Sequence, residues 1–165
     1  MRNCQEKMWT RTEAQQYCAD LRQAGKVIAF TNGCFDILHL GHVDYLTWAR
    51  EQGDLLVVGL NSDASVRRAK GASRPIVPEQ ERARVLAALE CVDAVVLFDE
   101  DEPATLIGEL LPNVLVKGED WAHYVSGRDI VEQHGGRVAL AKLVEGKSTT
   151  DIINKIIRVY GPEQG

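Results

Sequence analysis

Two histidines, His39 and His42, flank Gly41 within the segment Thr31-Asn-Gly-Cys-Phe-Asp-Ile-Leu-His-Leu-Gly-His42. The segment follows a short apolar run and leads into a helical pattern, where backbone N–H groups and the helix dipole favour anions. Gly33 permits a sharp turn after the strand, and Gly41 lets a phosphate approach the backbone. Two imidazole N–H donors aimed at one phosphate suit nucleotidyl transfer, because negative charge grows on the phosphate oxygens during attack.

Two other interpretations of the histidine pair compete with anion binding. A bare H-x-G-H is more often a pair of residues at a helix start with only a structural role. Here Gly33 and Phe35-Asp36 precede the pair at a strand end, and this context favours an anion site. A zinc site is less favoured, since no Cys or Glu lies directly beside the histidines to complete the ligand set.

The charge balance argues against polyanionic partners. The 165 residues carry 24 acidic and 19 basic side chains, for a net charge of -5. Nucleic acids and anionic membranes usually require a basic face, and no apolar run approaches the roughly 20 residues of a membrane span. We therefore expect no nucleic-acid or membrane partner. The densest basic cluster, Arg67, Arg68, Lys70 and Arg74, would suit a small anionic ligand.

Cysteine usage and the first residues indicate a reducing compartment. Cys4, Cys18, Cys34 and Cys91 are far apart and form no C-x-x-C pair, so neither a zinc site nor a disulfide framework is expected. The opening residues show no signal-peptide core. These features predict a cytoplasmic protein.

Strand and helix patterns alternate along the whole chain, which predicts one α/β domain. Short apolar runs predict five strands, at 27–30, 55–60, 94–98, 114–117 and 137–143. Helical patterns lie between and after them, at 43–50, 64–69, 79–90 and 103–111, with a short helix that ends at 134 and a last helix that starts near 149. Such alternation gives a parallel sheet with helices on both faces. Ligands bind beyond the carboxyl ends of such strands, where strand order reverses.

Three helices carry more specific expectations. Thr10-x-x-Glu13 predicts a capping box that opens an N-terminal helical segment, residues 1–25, ahead of the main domain at 26–160. The spacing within 79–90 predicts that Val85, Leu86 and Leu89 face inward. In the last helix, packed positions are predicted at Ile152, Ile153, Ile156 and Val159.

Several motifs resemble those of one enzyme family. Residues 30–42 resemble the signature of the cytidylyltransferase-like nucleotidyltransferases, which share H-x-G-H with class I aminoacyl-tRNA synthetases. Within that family the resemblance is strongest to the branch that adenylylates heptose 1-phosphates. The segments 61–67, 86–93, 114–118 and 144–150 support the same branch in the same order. The resemblance covers about residues 26–157.

This resemblance implies a Rossmann-like, doubly wound, five-stranded parallel sheet and direct in-line transfer without a covalent intermediate. It implies that Mg²⁺ arrives with ATP and is held largely by the triphosphate, with no metal site on the protein. The branch implies transfer of AMP from ATP to D-glycero-D-manno-heptose 1-phosphate, giving ADP-heptose and pyrophosphate for lipopolysaccharide or other surface glycans. A homo-oligomer is compatible with the family.

The resemblance also assigns residues. His39 and His42 would stabilise the transferring phosphoryl group, and Asp36 would orient the turn. Lys70 and Arg82 would contact phosphates, with Arg67 or Arg68 as alternatives for the role of Lys70. The nucleotide would contact Thr31, Asn32, Gly33, Cys34, Phe35, Asp36, Gly41, Lys117, Gly118, Gly146, Ser148, Thr149 and Thr150. These basic residues could also have no ligand. Lys70 and Arg67 would then be solvated residues at a helix end, and Arg82 an arginine on a helix surface.

The segment Gly146-Lys-Ser-Thr-Thr150 could be mistaken for part of a Walker A loop. The loop interior is Lys-Leu-Val-Glu and the first glycine is replaced by Ala141, so we reject a P-loop kinase. Ser148-x-x-Asp151 instead predicts a helix N-cap. The family role, with hydroxyls and N–H groups near the nucleotide, is compatible with that cap.

A polar and aromatic loop, residues 118–127, follows the fourth predicted strand on the ligand side. Asp120, Trp121 and His123, together with Arg67, are candidates to bind a polyhydroxylated acceptor, although Trp and Tyr on such a rim can serve packing alone. Two alternative functions stay open. One is a cytidylyltransferase for glycerol 3-phosphate or another polyol phosphate, and the other is a non-catalytic nucleotide sensor.

Overall fold

The structure is a computed structural model that describes residues 3–142, 146 and 148–161. Its centre is one parallel sheet with strand order β1-β4-β3-β2-β5-β6. The strands are β1 (Met8–Trp9), β2 (Ile28–Gly33), β3 (Leu55–Asn61), β4 (Ala94–Phe98), β5 (Val114–Gly118) and β6 (Arg137–Ala141). All five neighbouring pairs run parallel, which confirms the predicted α/β class.

The predicted count of five strands is wrong by one. Five strands lie where the apolar runs predicted them, and the additional β1 pairs with the edge strand β4, Met8 opposite Val95 and Trp9 opposite Val96. Two residues are too few to show a periodicity of two. The N-terminal segment therefore belongs to the same sheet as residues 26–160.

Helices cover both faces of the sheet. They are α1 (Arg11–Gln23), α2 (Leu40–Arg50), α3 (Asp63–Lys70), α4 (Glu79–Ala87), α5 (Ala104–Leu110), α6 (Arg128–Gln133) and α7 (Thr149–Tyr160). On β2, Ala29 belongs to the core under α2 and α4, whereas Ile28 and Phe30 belong to the core under α1, α5 and α6. Successive residues of a strand point to opposite faces, so both faces are buried, as in a doubly wound fold.

The first helix begins as its sequence predicts. The Thr10 side chain accepts from the backbone N–H of Glu13, and the Glu13 carboxylate accepts from the backbone N–H of Thr10. Two orphan donors are thereby satisfied. Ala14 and Cys18 on the next turns are fully buried, so α1 packs on the sheet.

The inward face of α4 differs from the prediction. Leu86 is buried and Leu89 packs partly against the core, but Val85 is 49% exposed. The buried positions of the helix are Arg82, Ala83, Leu86 and Ala87. The inward face is thus rotated towards an arginine, because this side chain finds acceptors inside the protein.

The last helix also departs from its prediction. No residue of α7 is buried, and Ile156 and Val159 are 50% and 55% exposed; Ile152 and Ile153 are only partly covered. The apolar spacing predicted an amphipathic helix but not how deeply the helix is buried. No helix among the described residues is long and apolar enough to cross a membrane.

Candidate active site

The site lies where the strand order reverses. From β2 the chain continues to β3 and β4 on one side, and β5 and β6 pair on the other side. The carboxyl ends of β2 and β5 are therefore adjacent, and sheets of this kind bind ligands in the crevice between the loops that leave such a pair of strands. The predicted candidates Thr31–Asp36 follow β2, and Lys117 and Gly118 close β5.

The turn after β2 has a strained backbone. Phe35 adopts a positive φ of 43° although it is not glycine, and its ring is buried. A Cβ on Gly33 would lie 2.9 Å from Cε2 of that ring, so only glycine fits beneath it. A non-glycine residue in the left-handed region costs about 1–3 kcal/mol and concentrates at functional sites. Gly33 and Phe35 thus fix a tight turn that leads to the histidines.

His39 and His42 stand face to face at the start of α2. Their rings stack with centroids 3.8 Å apart, and the edge of Phe35 approaches the His42 ring at 5.3 Å. His39 is the N-cap residue of α2, without a side-chain capping hydrogen bond. The structure therefore brings the two imidazoles together, which a purely structural role at the helix start would not require.

The environment of His42 keeps its ring neutral. Burial, and then the charge of His39, lower the pKa of His42 to about 4. Its Nδ1 is buried and has no hydrogen-bond partner among the described residues. A buried polar atom of this kind is normally satisfied by a ligand or water. At neutral pH the ring can offer one N–H to an anion at the N-terminus of α2.

Thr31 is placed differently from its expected nucleotide contact. The side chain is fully buried, and its Oγ1 lies 2.6 Å from the hydroxyl of Tyr45 on α2. The same hydroxyl donates to the carbonyl of Val116 on β5. Tyr45 thus links α2 to both central strands, a positioning role that the sequence analysis missed. Its place three residues after His42, one helical turn away, is the signal that could have revealed it.

Asn32 and Lys117 connect the carboxyl ends of the paired strands β2 and β5. The Lys117 ammonium donates to Oδ1 of Asn32. Burial lowers the pKa of Lys117 to about 8, against the opposing effect of the carboxylates of Asp120 and Glu102. A half-buried cation at the switch point can meet an anionic group on either substrate.

Asp36 ties the turn to the loop between α3 and α4. Its buried carboxylate accepts from Nε of Arg74 at 2.6 Å and from the backbone N–H groups of Ile76 and Val77 at 2.9 Å each. Burial raises the pKa of Asp36, but these hydrogen bonds and the Arg74 charge outweigh it and lower the pKa below its ordinary value. The predicted role of Asp36 in orienting the turn therefore extends to a second loop.

Arg82 was predicted to contact phosphate, and the structure places it inside the protein instead. Its side chain is 0% exposed. The guanidinium donates to the carbonyls of Val77, Cys34 and Asn61 and forms an ion pair with Asp63 at 2.7 Å. With its donors used in this way, Arg82 connects α4 to the turn after β2 and to the end of β3. In this arrangement Arg82 acts as a positioning residue, because four of its five N–H donors are used inside the protein.

The basic residues of α3 separate into two groups. Arg68 forms an ion pair with Asp101 at 2.7 Å. Arg67 and Lys70 are exposed. Burial raises the pKa of the Cys34 thiol, and the charge of Lys70 lies near enough to oppose that rise in pKa. Among the three alternatives for a phosphate contact, the structure therefore favours Lys70.

The N-terminus of α7 approaches the turn that carries the histidines. Ser148 caps the helix by accepting from the N–H of Asp151 at 3.1 Å, which confirms the predicted N-cap. Thr149 donates from Oγ1 to the carbonyl of Ile37 at 3.4 Å. Gly146 and Thr150 are exposed beside them, whereas Lys147 and residues 143–145 lie outside the described residues.

The loop after β5 forms an exposed rim. Residues Glu119–Trp121 make one 3₁₀ turn, and Asp120, Trp121 and His123 are exposed. The Trp121 and His123 rings are nearly parallel, 14° apart, at 6.4 Å. The rim faces the ligand side of the sheet, but Arg67, the fourth acceptor candidate, stands on α3, which follows β3 on the other side of β2.

The described residues contain no cluster of three or more His, Cys, Asp or Glu side chains that could hold a metal ion. Asp36, the buried carboxylate nearest the histidines in sequence, is engaged by Arg74, Ile76 and Val77. A divalent cation at this site would therefore need most of its ligands from a bound substrate.

Known proteins of similar sequence align with most of this chain. The bifunctional protein HldE of Syntrophotalea carbinolica is 61% identical over 145 residues, covering 87% of this chain and 29% of that protein. HldE of Trichlorobacter lovleyi is 52% identical over 164 residues, covering 99% of this chain and 33% of that protein. The chain thus spans about a third or less of the length of these curated relatives.

Two solved structures share the fold. The lipopolysaccharide core biosynthesis protein of Thermoplasma volcanium GSS1 aligns with a TM-score of 0.60 and 28% identity, covering 74% of this chain and 100% of that chain. A pantoate-beta-alanine ligase of Francisella tularensis aligns with a TM-score of 0.61 over 92% of this chain and 77% of that chain. Its 15% identity supports the fold alone.

The family model described as Cytidylyltransferase-like matches residues 30–155. This range begins within β2 and ends within α7, so it includes the strained turn, both histidines, the switch point and the capped helix. With most of the chain matched, the protein belongs to the cytidylyltransferase-like family.

Proposed function

We propose that the chain transfers AMP from ATP to D-glycero-D-manno-heptose 1-phosphate, giving ADP-heptose and pyrophosphate. The observation that carries nucleotidyl transfer is the stacked pair of His39 and His42 at the N-terminus of α2. The heptose acceptor is supported by the resemblance over residues 30–42 and by the relatives named bifunctional protein HldE.

The reaction is an in-line displacement at the α-phosphorus of ATP. A phosphate oxygen of the acceptor forms the new bond to phosphorus, and the bond to the bridging oxygen of the β-phosphate breaks. Pyrophosphate leaves with the electron pair of that bond. Negative charge grows on the α-phosphate oxygens, and the N–H groups of His39, His42 and the start of α2 stabilise it.

The two sides of the crevice suit the two substrates. Basic residues, among them Lys70, lie on the β3 side of the turn, where the triphosphate requires positive charge. The exposed rim at Asp120, Trp121 and His123 on the β5 side offers a carboxylate and aromatic faces to sugar hydroxyls. The leaving pyrophosphate would gain charge neutralisation from Mg²⁺ that arrives with ATP, with the triphosphate as the main source of its ligands.

The dependence on Mg²⁺ can be separated from any site on the protein. We predict that Mg²⁺ titrated calorimetrically into the chain without nucleotide gives only weak heats, because the triphosphate supplies most of the ligands. The same titration with ATP present should show strong Mg²⁺ uptake. A tight, stoichiometric Mg²⁺ site in the nucleotide-free protein would contradict this prediction.

Lys117 should impose an alkaline limit on activity. With a pKa of about 8, its Nζ carries a proton below that pH and loses it above. If its charge holds a substrate anion, kcat/KM falls as pH rises through about 8, and Lys117→Arg moves the fall to higher pH because guanidinium stays charged. A pH–rate profile of both proteins, with a side-chain NMR titration of Lys117, tests this. An alkaline limb that is identical in both proteins would count against a role for the charge.

The acceptor can be identified by direct competition. Heptose 1-phosphate, glycerol 3-phosphate and unphosphorylated heptose are offered together at equal concentration with ATP and CTP, and products are resolved by mass. ADP-heptose should dominate, and free heptose should give none, because it lacks the attacking oxygen and the positioning charge. If CDP-glycerol dominates, the acceptor proposed here is wrong. Binding of nucleotide without any release of pyrophosphate would favour a sensor.

A further inference from the structure

We infer that Arg74 binds the β- and γ-phosphates of the nucleotide, and that Asp36 and Arg82 hold the loop that presents it. The inference rests on the proposed nucleotidyl transfer. It concerns a residue of the basic cluster to which the family resemblance assigned no role, in the loop between α3 and α4.

The loop is fixed to the turn after β2 from two sides at Val77. On one side the Asp36 carboxylate accepts from the Val77 N–H at 2.9 Å. On the other side the Val77 carbonyl accepts from Nε of Arg82, whose terminal nitrogen also donates to the Cys34 carbonyl at 2.7 Å. Cys34 and Asp36 belong to the turn that leads to the histidines. Loop and turn therefore form one rigid unit.

Arg74 is held in this unit by one edge only. Its Nε donates to Asp36 at 2.6 Å, and its side chain is 17% exposed. Its terminal nitrogens make no hydrogen bond to any residue that the structure describes. By contrast, Arg68 uses both Nε and a terminal nitrogen on Asp101 and the Asp99 carbonyl. Arg74 thus keeps the two-pronged end of its guanidinium, which matches phosphate geometry, available to a ligand.

The charge around the turn favours a polyanion at this point. Burial raises the pKa of the half-buried Cys34 thiol, whereas the nearby positive charges of Lys70, Arg82 and Arg74 lower that pKa. The charge of Arg82 is balanced by its ion pair with Asp63 inside the protein. Arg74, although paired with Asp36, and Lys70 are left to face a ligand beside the start of the histidine segment.

The triphosphate fits this position better than the acceptor does. The loop follows α3 on the β3 side of the turn, and the rim with Asp120 follows β5 on the opposite side. A polyol acceptor beside the rim places its phosphate at the crevice, between the rim and the histidines. The β- and γ-phosphates, as the leaving group, must point away from the attacking oxygen in an in-line reaction, and this is towards Arg74.

The test compares ATP with AMP, which shares the base, ribose and α-phosphate but lacks the outer phosphates. Dissociation constants are measured calorimetrically with Mg²⁺ on the full chain. Arg74→Gln should weaken ATP binding by about 10–100-fold, the effect of losing charge-assisted hydrogen bonds, and should leave AMP binding within about twofold. Arg74→Lys should recover part of the loss. Arg68→Gln, an arginine of the same cluster that is paired elsewhere, should change neither constant.

Each contrary result identifies what has failed. Equal losses for ATP and AMP in both Arg74 variants would mean that Arg74 only supports the fold, and unchanged ATP binding would mean that it contacts no phosphate. Either result overturns the inference and leaves the proposed function standing, provided that the wild-type chain binds ATP. If the wild-type chain binds neither nucleotide, the inference and the proposed function fail together. Thermal unfolding of each variant shows that the proteins compared are folded.

Discussion

Replacing either histidine of the pair by alanine is expected to lower kcat by about 10²–10³, the usual effect of removing one donor to a developing charge. The stacked rings, 3.8 Å apart, place both donors at the start of α2. The KM for ATP should change much less, since the backbone N–H groups of Leu40 and Gly41 and the helix dipole remain. Steady-state kinetics of His39→Ala and His42→Ala measure both parameters.

The matched control is His134→Ala. His134 directly follows α6, and its Nδ1 lies 2.7 Å from the carbonyl oxygen of Ile130 in that helix. Its removal should leave kcat within about twofold of wild type. Turnover near the wild-type rate in both His39→Ala and His42→Ala would remove the central role of the pair.

Replacing Arg82 by methionine should lower the free energy of unfolding by about 3–5 kcal/mol. The fully buried guanidinium makes three hydrogen bonds to carbonyls and an ion pair with the partly buried Asp63, and all of these are lost. The substitution leaves the carbonyls of Cys34, Asn61 and Val77 without this donor and Asp63 without its cation. Urea unfolding measures the change. An arginine that contacted phosphate would instead cost nucleotide affinity and little stability.

Arg68→Met is the comparison for the Arg82 variant. The side chains of Arg68 and Asp101 are 46% and 78% exposed, and exposed pairs contribute about 0–1 kcal/mol. Each variant replaces an arginine by methionine. The difference between their free energies of unfolding therefore reports the effect of burial and hydrogen bonding at Arg82. If the free energy of unfolding of Arg82→Met lies within about 1 kcal/mol of the wild-type value, the hydrogen-bond network of Arg82 does not stabilise the protein.

The sequence predicted those parts of the fold that depend on local pattern. The apolar runs at residues 55–60 and 94–98 are buried strands, and the Thr10 capping box opens α1. The helix at Ser148 also starts at its predicted cap. These features depend on residues within a few positions of each other. Strand β1 escaped prediction because its two residues acquire their partner only from the distant β4.

The parts of the site that the sequence did not predict depend on long-range contacts. Arg82 resembles any arginine on a charged surface helix, and only the folded chain brings it to Cys34 and Asn61, 48 and 21 residues away. Arg74 and Asp36 are 38 residues apart, and spacing alone could not pair them. The histidine pair was predictable because its geometry is set within one turn of α2.

The fate of the α-phosphorus of ATP tests the account most directly. Wild-type chain is incubated with Mg²⁺, heptose 1-phosphate and ATP labelled at either the α- or the γ-phosphorus, and the products are separated. The account predicts that the α label appears in a nucleotide-sugar and the γ label in pyrophosphate, in equal amounts, and that both rates fall about 10²–10³-fold in His42→Ala. A γ label transferred to the sugar with release of ADP, or products formed equally fast by His42→Ala, would contradict it.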